Sequence, residues 1–165
     1  MSFLKGFKYA FSGIIYCIKN ERNMRFHTVA ALYVLVFARF FTFSREDMAL
    51  LMLTIGGVLA AEAVNTALEE VCDKVSPEYD SFIRHAKDAA AGAVLILAVF
   101  AVIVGMILFG NIDGWIAVYH FYAGHLPDLC GIILLSLVSL IYIVLGPVGI
   151  KKLFKGKNVS EEKQQ

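Results

Sequence analysis

Four apolar runs dominate this chain, over residues 28 to 43, 48 to 68, 89 to 109 and 129 to 150. Each approaches the roughly 20 residues a helix needs to cross a bilayer, although the first is somewhat short and is interrupted by Arg39. Lipid offers the backbone no hydrogen-bond partner, so runs of this kind are expected to be helices. Hydrophobic residues make up 59% of the 165, more than a soluble core of this size requires. The expectation is a single all-α membrane protein. Gly146 and Pro147, late in the fourth run, mark a kink or helix end. The N-terminal MSFLKGFKYAF has no long apolar core and no small-residue cleavage site, so it does not read as a secretory signal. Cys17, Cys72 and Cys130 stand far apart, which argues against a zinc site or a disulfide framework and for buried free thiols.

An even number of spans puts both termini on one side. Thirteen of the fifteen basic residues then share that side, all but Arg39 and Arg45, which makes it the cytoplasmic face of the cell membrane. Ahead of the first span, Phe3, Phe7, Ala10, Phe11, Ile14 and Ile18 recur at three- and four-residue intervals, while Lys5, Lys8, Ser12, Tyr16 and Lys19 take other faces. That spacing predicts an amphipathic helix over residues 3 to 20, lying on the membrane surface with its lysines toward anionic headgroups.

The second span ends in AAEAVNTALEEVCDK, residues 60 to 74. At 3.6 residues per turn, Glu62, Asn65, Glu69 and Asp73 form one stripe running from within the bilayer edge to the cytosol. A charge at membrane depth costs about 2.5–3.5 kcal/mol even on the lenient insertion scale, so Glu62, flanked by Ala60, Ala61, Ala63 and Val64, is not there for solubility. KNERNMRFH, residues 19 to 27, brings Glu21 to the same membrane face, and DKVSPEYDSFIRHAKDAAAG, residues 73 to 92, brings Lys87 and Asp88. Two carboxylates together with substrate phosphates commonly hold Mg²⁺, a lysine can neutralise a phosphate as a point charge, and a desolvated glutamate suits proton transfer from a hydroxyl. These features point to phosphate chemistry at a membrane interface. Neither a soluble phosphate-binding loop of the G-x-x-x-x-G-K-[ST] type nor the protein-kinase motif set is present.

EAVNTALEEVCDK, followed by SPEYD and AKDAAAGAVL and preceded by KNERNMRFH, closely resembles the prokaryotic integral-membrane diacylglycerol kinase and undecaprenol kinase family, over roughly residues 3 to 109. N-E-R-N-x-R-x-H, the P-E-Y turn and A-K-D-x-A-A-G-A-V-L are more like its Gram-positive undecaprenol kinase branch. The resemblance implies a homotrimer with three membrane helices and an amphipathic surface helix per subunit, ATP as phosphoryl donor, Mg²⁺, and no nucleic-acid partner. It also implies that Glu62 acts as acid/base on the lipid hydroxyl, with Asn65 beside it on the catalytic helix. Glu21 and Glu69 match the metal-binding carboxylates. Glu78, Tyr79 and Asp80 match the nucleotide-contacting loop, Lys87 and Asp88 the nucleotide-binding Lys-Asp pair, and Tyr9 a nucleotide contact in the surface helix. Asn23, Met24, Arg25, Phe26 and His27 match a segment lining the lipid site.

Residues 110 to 165 exceed the family core, adding GNIDGWIAVYHFYAGHLPD, the fourth span and a basic tail. The first of these reads as a polar, aromatic-rich outer loop, with Trp115, Tyr119 and Tyr122 fitting an interfacial belt and the spacing of His120 and His125 unsuited to one helical face. Lys151 to Lys157 fit an anchor to anionic lipid. The competing function class is a non-catalytic carrier or assembly protein whose Glu62 binds a proton or cation. It leaves Glu21, Glu69, Lys87 and Asp88 on one face without explanation.

Overall fold

The structure is a computed structural model and describes residues 3–76, 78 and 80–162, the last ten as backbone only. Among the described residues six helices follow one another: α1 Phe3–Asn20, α2 Arg22–Ala38, α3 Arg45–Val75, α4 Ser81–Leu108, α5 Ile112–Gly124 and α6 Leu126–Glu162. No strand occurs among the described residues. Among the described residues three helices are long and apolar enough to cross a membrane: α3, α4, and the Leu126–Lys152 part of α6. The chain is an all-α membrane protein. Helix α2, with 17 residues, rises only about 25 Å and falls short of that length.

Local chemistry sets the boundaries. Ser44 opens α3 with a reciprocal cap: its hydroxyl accepts from the Asp47 amide at 3.1 Å, and the Asp47 carboxylate accepts from the Ser44 amide at 2.9 Å. From there α3 runs without interruption to Val75, seven residues past the apolar run. The acidic stripe therefore stays on one rigid rod. Asp80 opens α4 by accepting from the Phe82 and Ile83 amides at 2.7 and 3.3 Å. Helices α3 and α4 form the most extensive pair, with α2 packed on α3, and α6 packed on α2.

Two expectations need correction. Residues 110 to 128 are not an outer loop: most of them form α5, opened by the Asn111 side chain accepting from the Asp113 amide at 2.8 Å. The helix is held by an aromatic knot. Phe41 packs edge-on to Phe109 and Trp115, the Trp115 indole donates to the Phe109 carbonyl at 2.8 Å, and Phe40 meets Phe121 and Tyr122. Arg39 lies over the rings of Phe40 and Phe121, 4.8 and 5.1 Å from their centroids. Nor are all three thiols buried. Cys17 and Cys72 are, but Cys130 on α6 is exposed.

Gly114 lets α5 close on this knot, because a methyl at position 114 would overlap the Phe41 ring. Gly114→Ala should therefore cost about 1–3 kcal/mol, read as a lowered unfolding midpoint in micelles. An unchanged midpoint would mean that the ring is free to move aside.

The α1 helix presents Phe3, Phe7, Phe11 and Ile14 uncovered, with Cys17 its only buried residue among those described. The amphipathic helix expected over residues 3 to 20 forms with the same ends.

Candidate active site

The deep end of the stripe on α3 is the most deeply buried polar feature among the described residues. Glu62 is 1% exposed, Thr66 2% and Asn65 6%. Thr66 satisfies its hydroxyl on the Glu62 backbone carbonyl at 3.0 Å, and the Asn65 amide donates to Glu69 Oε1 at 3.1 Å. Among the described residues two buried side-chain atoms have no hydrogen-bond partner, Glu62 Oε2 and Asn65 Oδ1. Leaving such atoms unpaired costs on the order of 1–3 kcal/mol each, so each calls for a specific explanation.

Glu21 caps the start of α2 with extended backbone, and its side chain makes no cap bond. It is half-buried and faces the acids of α3. Burial first, then the like charges of Glu69 and Glu70, raises its pKa above the usual carboxylate value, while Arg25 partly offsets them. Glu62 lies within electrostatic reach of both Glu21 and Glu69. Three of the acids expected to act together are thus gathered at one end of the helices.

Because burial and the like charges favour the protonated form, Glu21 loses its charge at a higher pH than an ordinary glutamate as pH falls, and with it any attraction for a cation. A cation-dependent rate should show an acid limb above the normal glutamate range. Glu70→Gln removes one of the like charges, so the limb should move to lower pH. A limb that stays in place would separate Glu21 from the rate-controlling ionisation.

The remaining expected residues divide. Lys87 reaches across to α3 and donates to Asp73 Oδ1 at 2.7 Å, tying the start of α4 to the shallow end of the stripe. Asp88 lies 3.8 Å from Arg84, one turn back on the exposed face of α4. One carboxylate oxygen of Asp80 is committed to the α4 cap. Glu78 is exposed, and its carbonyl accepts from the Ser76 hydroxyl at 3.0 Å. Tyr79 lies outside the described residues. Tyr9 is 60% exposed on α1. Asn23 and Phe26 are exposed, Met24 and Arg25 buried, and His27 half-buried.

His27 stands at one end of an apolar groove of about 540 Å³ between α2, α3 and α4. Ala30, Val58 and Gly105 help form its walls, and Phe109 and Trp115 line the other end. On α3 the groove stops at Leu59, one turn before Glu62. Sequence reasoning missed two contacts here. The Tyr16 hydroxyl donates to Glu70 Oε1 at 2.6 Å, giving the acid off the stripe a partner, and Arg25 is buried against backbone carbonyls. A separation of 54 residues leaves the first without any local signal.

An all-helical bundle with buried acids at one end, beside an apolar groove, is an arrangement suited to an enzyme acting on lipid at a membrane interface. The profile of the prokaryotic diacylglycerol kinase family matches residues 8–109. The chain belongs to that family and is a lipid kinase, with ATP as its phosphoryl donor. It is 37% identical over 107 residues to an undecaprenol kinase of Bacillus subtilis, covering 65% of this chain and 87% of that one. It is 42% identical over 103 residues to a diacylglycerol kinase of Synechocystis, covering 62% and 59% respectively. A diacylglycerol kinase of Escherichia coli is 32% identical over 105 residues, covering 64% and 86%. Helices α5 and α6 lie outside the matched region.

Proposed function

We propose that this protein transfers the γ-phosphoryl group of ATP to the hydroxyl of undecaprenol, making undecaprenyl phosphate at the cytoplasmic membrane face. The observation that carries this reading is the buried, unpartnered Glu62 Oε2, one helical turn beyond the end of the apolar groove. A polyprenyl chain would lie in the groove with its hydroxyl at Glu62. The carboxylate takes the hydroxyl proton as the alcohol oxygen attacks phosphorus in line; the bond to the β-phosphate breaks, and ADP leaves. Asn65, donating to Glu69, fixes that carboxylate for its part in the site.

Glu21 and Glu69 offer hard oxygen donors whose mutual repulsion a cation would relieve, a set that suits Mg²⁺ completed by substrate phosphates. An all-protein cage is not expected, and no group of three or more His, Cys, Asp or Glu converges on a metal position among the described residues. When bound, Mg²⁺ offsets charge on the phosphates. Lys87, Asp88, Glu78, Tyr79, Asp80 and Tyr9 form the nucleotide side, and Asn23 to His27 the lipid side. Both termini are cytoplasmic, α2 completes the membrane core with α3 and α4, α6 is an additional span, and the active assembly is a homotrimer.

The decisive assay gives purified protein labelled ATP, Mg²⁺ and either undecaprenol or diacylglycerol. Label in undecaprenol at the higher rate is the expected result. A faster rate with diacylglycerol would reassign the substrate, and label in neither lipid would sink the kinase mechanism. Crosslinking in native membranes checks the trimer.

A further inference from the structure

Arg25 is 6% exposed in a helix at the membrane interface, and it has no carboxylate within ion-pair distance among the described residues. Its guanidinium is spent on main-chain oxygens from two other helices. Nη1 donates to the carbonyls of Ile18 and Lys19, at 3.4 and 3.2 Å, and Nε donates to the carbonyl of Ile143, at 3.2 Å. The first two belong to the last turn of α1, where carbonyls have no intrahelical donor. The third is orphaned for a different reason. Its donor in an unbroken helix would be the amide of residue 147, and residue 147 is a proline.

The break in α6 is built around the same side chain. Gly146 is buried and has φ 62° and ψ 174°, the only positive φ among the described residues. A Cβ there would stand 2.9 Å from Arg25 Cζ and 3.0 Å from Nη1. Glycine is thus required twice, for the backbone conformation and for the approach of the guanidinium. The cation also sits against the negative ends of two helices, α1 and the first part of α6.

We propose that α6 acts as a clamp on the α1–α2 elbow, with Arg25 as a positioning residue that holds Glu21 in register with Glu69. Glu21 is four residues from Arg25 and forms the elbow itself, between Asn20 and Arg22. The guanidinium ties three elements at one point: α2, which carries it, the end of α1, and the broken end of α6. This assigns the C-terminal extension a part in the reaction that the matched core, ending at residue 109, does not contain. The proposal rests on the cation-binding role of Glu21 given above.

Three full-length variants in lipid nanodiscs test it, with two readouts. Gly146→Ala displaces the guanidinium from its carbonyls, and Arg25→Lys keeps the charge while losing the fork. Tyr33→Phe is the control: it removes the other polar tie between α2 and α6, the tyrosine hydroxyl on Ser136 at 3.0 Å and Ser139 at 3.5 Å. In the first two variants, amide exchange over residues 18–25 should quicken about ten-fold or more, as expected when a local tie is lost. The Mg²⁺ concentration for half-maximal rate should rise about 10–100-fold, as with lost support behind a metal ligand. Tyr33→Phe should alter neither.

Wild-type Mg²⁺ dependence in both variants would overturn the clamp, as would an equal shift in Tyr33→Phe. Faster exchange without a change in Mg²⁺ dependence would reduce Arg25 to a structural tie and overturn its positioning role. If Gly146→Ala fails to insert, Arg25→Lys decides alone. Exchange is measured without turnover, so a wild-type protein that phosphorylates no lipid sinks the mechanism and leaves the elbow contact separately readable.

Discussion

Glu62→Gln is expected to lower turnover by about 10²–10⁴-fold, the range associated with losing a positioned general base. The protein should meanwhile stay folded. Gln keeps the volume and planar shape of Glu at a site 1% exposed, so no cavity opens. One carboxylate oxygen there already lacks a partner, and replacing it leaves no new charge unpaired. The unfolding midpoint should therefore hold or rise, because groups kept for chemistry commonly cost stability. Phosphorylation rates and thermal unfolding of the same preparation check both halves. Full activity in Glu62→Gln would remove the base from this position, and loss of folding would make the residue a structural one.

Glu69→Gln should be the second most damaging change, and of a different kind. A bound cation is worth several kcal/mol of charge stabilisation at a reacting phosphate, so under the proposed role of Glu21 and Glu69 losing one of the two carboxylates should cost about a hundred-fold or more. Unlike the loss at Glu62, part of this loss should return as Mg²⁺ is raised. Asn65→Ala should imitate it more weakly, by about 10–100-fold, because the amide that orients Glu69 at 3.1 Å would be gone. Titrating Mg²⁺ across wild type and the three variants separates the roles. If Glu62→Gln were rescued by Mg²⁺ and Glu69→Gln were not, the two assignments would have to be exchanged.

The membrane class, the amphipathic N-terminal helix and the acidic stripe were legible because each rests on periodicity within one segment. Glu62, Asn65 and Glu69 share a face through the geometry of one helix, and an uninterrupted α3 is enough to keep them aligned. The helix over residues 112 to 124 was not legible. Glycines at 114 and 124 and a scatter of polar residues weaken its pattern, and its stability comes from Phe40 and Phe41, more than seventy residues earlier in the chain. Tertiary packing decided the outcome there, not propensity. Glu70 is a similar case, since nothing near it in sequence announces Tyr16. Arg25 lies between these extremes. Gly146-Pro147 signals a break, and a break signals an open carbonyl four residues before the proline, but which donor fills it is a matter of the fold.

The separation between Arg25 and Ile143 is 118 residues, and it sets a schedule for biogenesis. At about 5–20 residues added per second, the elbow carrying Glu21 waits roughly 6–24 s for its last partner to leave the ribosome. Until α6 has been inserted, a buried-type arginine and the open end of α1 must be hydrated at the membrane surface. A nascent chain can therefore have completed the whole stretch of residues 8–109 and still be immature. Newly made protein acquires its finished N-terminal elbow only when its C-terminal helix arrives.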